Sequence, residues 1–159
     1  MSGRLLWSIA RAVAVLIIAG LCGVGGLVSS ASAQPVAWFK YGEEATQAWS
    51  FAQIPGDPMQ IFVRPRFSAM PSRHIMVLYP RPSSAYDIAI TKILQVFAEK
   101  DIDAAFTIVN FNNEDARGQV AINFAERDKY DLIFSMGSES TSWLYGHYRD
   151  RSIPVISVC

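Results

Sequence analysis

The chain has 159 residues, and its 14 Lys and Arg balance its 14 Asp and Glu to a formal net charge of zero. This balance gives no sign of the basic face that a nucleic-acid partner requires, and two cysteines exclude a fold held together by several disulfides. A chain of this length buries one modest core, which is enough for one domain.

The N-terminal segment predicts export. Two arginines precede an uncharged apolar run over residues 12–28, and the small residues Ala31 and Ala33 flank a position that suits signal peptidase. We expect residues 1–33 to be a cleaved secretory signal and the mature protein to be periplasmic. A retained membrane anchor through residues 12–28 is the alternative, because the run is close to the shortest stretch that spans a bilayer.

Cleavage after Ala33 would remove Cys22 and leave Cys159 as the only cysteine of the mature chain. We therefore expect no internal disulfide, although an export context would allow one. Lipid attachment at Cys22 is disfavoured, because Leu21 stands where a lipoprotein signal needs a small residue.

Residues 34–73 contain five prolines and scattered aromatic side chains without a clear period. This pattern predicts an irregular N-terminal arm with one short strand at residues 59–63. The aromatic residues are too many for a solvated linker, so we expect part of the arm to pack on the domain or on a partner. A partly ordered tether between membrane and domain is the alternative.

From residue 74 onward, short apolar runs alternate with longer segments of helical period. The runs predict buried strands at residues 75–79, 105–111, 132–136 and 153–158. The segments between them predict helices at residues 84–100, about 112–129 and 138–151. The alternation of strands and helices implies right-handed crossovers and a parallel sheet with helices on both faces. We predict an α/β fold with a three-layer, doubly wound parallel sheet in the strand order 2-1-3-4.

Polar turns follow three of these strands, where open parallel sheets bind their ligands. The turns at residues 80–84 (PRPSS) and 137–141 (GSEST) put hydroxyl groups and free backbone N–H groups at a helix N-terminus, which can hold a carboxylate or phosphate. The third turn is NFNNED at residues 110–115. The predicted ligand-binding residues are Ser83, Ser84, Asn112, Gly137, Ser138, Glu139, Ser140 and Thr141. For the Ser and Thr residues the alternative is helix capping. For Gly137 it is a tight turn, and for Glu139 it is an ordinary acidic residue in the first turn of a helix.

The same turns lack the signatures of an enzyme. Ser138 directly follows Gly137 and no second glycine follows Ser140, so the run departs from the nucleophile elbow. It also lacks the Gly-Lys-Ser/Thr ending of a phosphate-binding loop. His74 and His147 are far apart and have no carboxylate or cysteine at metal spacing. We therefore expect no catalytic residues, no metal and no cofactor.

Three phrases of the C-terminal half are HIMVLYP at residues 74–80, ARGQVAINFAERDKYDLIFSMGS at 116–138 and RSIPVISV at 151–158. With them, residues 73–159 resemble the N-terminal lobe of bacterial ABC-transporter substrate-binding proteins of the tryptophan/tyrosine-binding type, which are type I periplasmic binding proteins. Members of that family share a sequence pattern: Asp-Leu-Ile and a hydrophobic residue are followed by Gly-Thr, then by a helix, and then by Ile-Pro-Val. This chain departs from it at Ser138-Glu139, where the family has Thr-Pro.

The resemblance implies a ligand clamped between two lobes that hinge shut. Residues 74–159 would be one incomplete lobe, and we expect the chain to be a truncated part of a longer protein. The predicted function is that of a solute-binding component of an ABC import system, which binds a small amino-acid-like ligand and docks on an ABC permease.

Two other functions remain open at this stage. A periplasmic sensor domain of a signalling protein is the runner-up, and retention of residues 12–28 as an anchor would favour it. A secreted hydrolase is the weakest candidate, because the two isolated histidines and the turn at residues 137–141 do not assemble a nucleophile, base and acid.

Overall fold

The structure, a computed structural model, describes residues 37–68 and 70–158. The predicted signal at residues 1–33, the alternative anchor at residues 12–28 and both cysteines lie outside the described residues. Within the described part, the longest apolar helices are too short or too polar to cross a bilayer.

The described chain forms six strands and four helices. The strands are β1 (Trp49–Ile54), β2 (Asp57–Pro65), β3 (Arg73–Tyr79), β4 (Ala104–Asn110), β5 (Leu132–Met136) and β6 (Val155–Val158). The helices are α1 (Ala45–Ala48), α2 (Ser84–Glu99), α3 (Asp115–Arg127) and α4 (Gly137–His147). From β3 onward the elements alternate in the predicted order, and each predicted strand is present with its ends moved by two residues or fewer.

All six strands belong to one sheet in the order β1-β2-β4-β3-β5-β6. The neighbours β4, β3, β5 and β6 are parallel, which is the predicted order 2-1-3-4 for the four strands of the C-terminal half. The pairs β1–β2 and β2–β4 are antiparallel. The fold is therefore α/β with helices on both faces, and the sheet is mixed rather than wholly parallel.

The structure differs from the prediction of an irregular arm at residues 34–73. Most of the second half of this segment is a hairpin of β1 and β2 that continues the sheet beyond β4. The strand predicted at residues 59–63 is the middle of the nine-residue β2. The arm is thus an integral part of the sheet.

Buried and exposed side chains alternate along β2, although its prolines make this alternation hard to recognise in the sequence. Ile61 and Val63 are fully buried on one face, whereas Phe62 between them faces the other side and is partly exposed. Pro58 and Pro65 fall near the two ends of β2, where the loss of a donor disturbs the ladder least. A period of two is the signature of a strand with one covered face.

One face of the sheet is covered by α2, by α1 and by the segment before α1. Ile90 and Leu94 of α2 lie in the same core cluster as Phe39 and Trp49 of the arm. The indole N–H of Trp49 donates to the carbonyl of Leu94 at 3.1 Å. Phe39 packs its ring against Tyr79 at a centroid distance of 6.2 Å. The arm therefore closes the apolar core on this face.

The opposite face is covered by α3 and α4. Their buried side chains pack with the sheet residues Met76, Leu78, Val109 and Ile133. The helices divide between the faces because the crossover from β3 to β4 and the crossover from β4 to β5 run in opposite directions, and right-handed crossovers of opposite direction lie on opposite faces. The molecule therefore has three layers.

Two helix boundaries differ from the predicted ones. Asn112 and Asn113 have φ angles of 53° and 55°, a left-handed backbone that a right-handed helix excludes, so α3 begins only at Asp115. The last helix ends at His147 instead of residue 151, because Tyr148 adopts an extended backbone and turns its side chain into the core.

Candidate functional site

The strand order reverses between β3 and β5. The chain leaves β3 for β4 on one side and returns to β5 on the other side. The turns after β3 and β5 therefore meet beyond the carboxyl ends of these two strands. In open α/β sheets a ligand-binding crevice forms at such a point, which we call the switch point. The Nε atom of Arg81 lies 3.0 Å from Oε2 of Glu139 across it. The structure thus brings the first and third predicted turns together.

Gly137 lies at the switch point, directly after β5. It begins α4 with a φ of 76°, a left-handed conformation that glycine adopts without strain. A Cβ atom at this position would collide with the phenol of Tyr86, whose hydroxyl lies directly above the glycine. Both the backbone angle and the lack of space require glycine, and they bring the start of α4 against the first turn of α2.

Four of the predicted residues lie in the turns that meet at the switch point and have exposed or partly exposed side chains: Ser83, Ser84, Ser138 and Glu139. Ser83 is the N-cap residue of α2, yet its side chain makes no capping hydrogen bond. Capping therefore does not account for its hydroxyl group in this structure. Ser84 also borders a depression of about 380 Å³ between α2 and residues 40–44.

Ser140 and Thr141 are both hydrogen-bonded within the fold, and the burial of Ser140 excludes the predicted ligand contact for that residue. Ser140 is fully buried, and its hydroxyl accepts a hydrogen bond from Ser135 of β5 at 2.9 Å. The Thr141 hydroxyl donates to the carbonyl of Gly137 at 2.9 Å and lies 2.8 Å from the hydroxyl of Ser157 in β6. These hydroxyl groups join β5, α4 and β6, so we assign them to the fold and not to the ligand.

Asn112 also lies apart from the switch point. It follows β4, which is the neighbour of β3 on the side away from β5. Its backbone N–H donates to Oδ1 of Asn110 at 3.0 Å, and its side-chain amide donates to Glu114 at 3.3 Å. These bonds hold the left-handed turn before α3, so the residue has a local structural role.

Arg81 and Tyr86 also lie at the switch point, and neither is among the ligand-binding residues predicted from the sequence. Arg81 stands two positions before the N-cap of α2, at the positive end of the helix dipole, where a cation is disfavoured. That conflict was the available signal for Arg81. Tyr86 falls within the apolar period of α2, and nothing in the sequence distinguishes it from a core residue.

Aromatic side chains continue from Tyr86 along the edge of the sheet. The rings of Tyr86 and Tyr79 meet edge to face at 5.4 Å, and those of Tyr79 and Trp38 at 5.7 Å. The indole N–H of Trp38 donates to the carbonyl of Pro58 at 2.8 Å, which fixes the orientation of that ring. Trp38 and Tyr86 are only partly buried, so this row forms a partly exposed apolar wall, and Tyr86 at one end of it adjoins Gly137.

A buried carboxylate lies beneath this wall. Asp87 is 7% exposed, and its Oδ2 accepts the backbone N–H of Lys40 at 3.3 Å. The buried hydroxyl of Tyr79 interacts with the same carboxylate, but the geometry is not that of a good hydrogen bond. Burial raises the pKa of Asp87, and the Lys40 N–H opposes this shift. Burial and the nearby charge of Asp87 raise the pKa of Tyr79, so its hydroxyl stays protonated.

The described residues contain no group of three or more His, Cys, Asp or Glu side chains that could hold a metal ion. The two histidines have different surroundings. His74 contacts the ring of Tyr130, whereas His147 stacks on Trp143 at 4.7 Å and lies 3.8 Å from Asp115.

Comparisons with protein-family models, with curated proteins and with solved structures found no match to this chain. The resemblance to substrate-binding proteins therefore stays a prediction that rests on the three quoted phrases. The geometry of the switch point rests on the described residues alone.

Substitution of Gly137 by alanine tests the close approach of α4 and α2. We expect a loss of about 1–2 kcal/mol for the left-handed backbone and a further loss of about 1–3 kcal/mol for the collision with Tyr86. In a double-mutant cycle with Tyr86→Ala, urea unfolding should show that the collision part of the loss disappears. Gly146→Ala is the matched control, since its added Cβ meets open space within α4. An additive cycle would contradict the contact.

Substitution of Asp87 by asparagine tests the buried carboxylate. Because the folded-state pKa is raised, the ionised group weakens the fold at neutral pH, and stability is recovered as the pH falls through that pKa. Asparagine keeps an acceptor for the Lys40 N–H without a charge. We expect the variant to be more stable than the wild type by about 1 kcal/mol near neutral pH, and the difference to vanish in acid.

The control for this pH dependence is Asp128→Asn. The Arg127 guanidinium donates to Asp128 and lowers its pKa, so removal of that charge should act in the opposite direction. Urea unfolding at several pH values measures both variants. A loss of stability in Asp87→Asn at neutral pH would show that the fold needs the ionised carboxylate.

Proposed function

We propose that this chain is the N-terminal lobe of an exported solute-binding protein that serves an ABC import system. Its ligand is a small, amino-acid-like organic molecule, and its protein partner is an ABC permease in the membrane. The observation that supports this function best is the convergence of the turns at residues 80–84 and 137–141 on the switch point, where Arg81 meets Glu139 and Tyr86 meets Gly137.

The convergence favours binding because α2 and α4, which cover opposite faces of the sheet, both begin at the switch point. The first turns of α2 and α4 each present backbone N–H groups and the positive end of a helix dipole, which suits a carboxylate. Gly137 allows a ligand to approach the backbone closely, since it has no side chain. Trp38 and Tyr86 supply apolar surface for the body of the ligand.

The switch point is accessible to solvent, because the side chains of Arg81 and Glu139 are 53% and 45% exposed. A clamp of two lobes covers such a surface with the second lobe when it closes on the ligand. One lobe makes part of the contacts but meets the full entropic cost of association, about 4–15 kcal/mol. We therefore expect weak binding by this chain, with a Kd of about 1 mM or higher.

The test is a titration of the purified, isotope-labelled chain with L-leucine and L-phenylalanine, followed by two-dimensional NMR. We expect saturable shifts of the amides at residues 81, 83–86 and 137–139, because these residues lie at the switch point; Pro80 and Pro82 have no amide proton. The amides around Asp131 at the opposite edge of the sheet are the internal control and should not move. Absence of saturable shifts with a broad panel of amino acids, or shifts confined to the opposite edge, would contradict the proposed function.

A further inference from the structure

One ion pair spans the switch point. Arg81 and Glu139 lie 58 positions apart in the sequence, in the turns that follow β3 and β5, and their Nε and Oε2 atoms are 3.0 Å apart. Within the described part of the chain, neither side chain has another ionic partner. The pair is therefore the one feature that connects the two halves of the crevice through side-chain charges.

The two charges are placed differently with respect to their helices. Glu139 lies in the first turn of α4, where the helix dipole favours an acid. Arg81 lies just before α2, where the dipole disfavours a cation, so local helix stability does not explain it. Arg81 and the N–H groups at the start of α2 together form a positive region suited to an anion. Glu139 beside it is suited to a cation.

The pair can open at little energetic cost. Both side chains are about half exposed, and exposed ion pairs contribute only about 0–1 kcal/mol to stability. Water solvates both groups when they separate, so a ligand that supplies both opposite charges can replace each partner. A ligand with one charge would satisfy one side chain and leave the other without its partner.

We propose that Arg81 and Glu139 determine specificity for zwitterionic ligands: Arg81 binds the carboxylate and Glu139 binds the ammonium group of an α-amino acid, and the two side chains pair with each other when the site is empty. The ammonium and carboxylate groups of such a ligand are attached to one carbon, so they are neighbours, as the two side chains are. This inference rests on the proposed function and adds the residues that select the ligand class.

The test compares L-phenylalanine with 3-phenylpropanoate, which lacks the amino group, and with 2-phenylethylamine, which lacks the carboxylate. NMR shift titrations of the wild-type chain should show that L-phenylalanine binds at least tenfold more tightly than either analogue. Arg81→Gln should reduce the affinity for L-phenylalanine at least tenfold and leave that for 2-phenylethylamine unchanged. Glu139→Gln should reduce it similarly and leave that for 3-phenylpropanoate unchanged or higher.

The matched controls remove a second exposed ion pair, at the opposite end of the same two strands, where β3 and β5 begin. Arg73 and Asp131 lie 2.9 Å apart there, so Arg73→Gln and Asp131→Asn remove a comparable pair without touching the crevice. We expect both controls to bind L-phenylalanine as the wild type does. Arg81→Lys keeps the charge and should retain most of the affinity. The spectrum of each variant shows directly whether the chain is folded.

The outcomes separate this inference from the proposed function. Binding of all three compounds with equal affinity, or L-phenylalanine binding at the switch point that Arg81→Gln and Glu139→Gln do not change, would overturn the inference and leave the proposed function standing. If no amino acid shifts the amides at the switch point in any folded variant, both are overturned.

Discussion

The central position of β3 is the constraint on which the rest of the structure depends. β3 hydrogen-bonds to β4 on one side and to β5 on the other, and its residues Ile75 to Tyr79 are buried on both faces. Because the first strand of the β/α ladder lies in the middle, the chain must leave it in one direction and return in the other. The two crossovers then lie on opposite faces, and the turns after β3 and β5 meet at the switch point.

The N-terminal arm is a structural part of the sheet and of its core. The β1/β2 hairpin protects the edge of β4 that would otherwise remain unpaired. Phe39 and Trp49 cover the face of the sheet that α2 alone leaves open, and the Lys40 N–H binds the buried Asp87 of α2. The same segment also brings Trp38 to the edge of the candidate site.

The sequence predicts the four parallel strands, because each is a short apolar run between polar turns and such runs depend only on neighbours in the chain. Their order 2-1-3-4 was predicted as well, but the handedness of crossovers alone does not fix it, since a right-handed sheet can also run 1-2-3-4. The hairpin was missed, because its prolines obscure the alternation of β2, which shows only when the burial of Ile61 and Val63 is known. The apolar pattern thus predicts the strands of the central sheet but not the hairpin beside it.

The candidate site was predicted in part. Its location followed from the carboxyl ends of the strands, and Gly137, Ser138 and Glu139 are at the switch point. Ser140 is buried, because the start of α4 at Gly137 places it on the side of the helix that faces the sheet, and the sequence alone does not fix that start. Thr141 is hydrogen-bonded to Gly137 in the same helix.

The pairing of Arg81 with Glu139 could not be predicted from the sequence, because the two residues are 58 positions apart and only the pairing of β3 with β5 brings their turns together. Contacts between distant turns depend on the order of strands, and no local pattern encodes them.

The most direct test of the central position of β3 is a measurement of nuclear Overhauser contacts from Val77. Val77 is in register with Ile108 of β4 and with Phe134 of β5. If β3 lies between these strands, contacts from Val77 to both neighbours should appear in the same spectrum. Contacts to one neighbour alone, with the amides on the other side of β3 open to exchange with solvent, would place β3 at an edge and would remove the switch point.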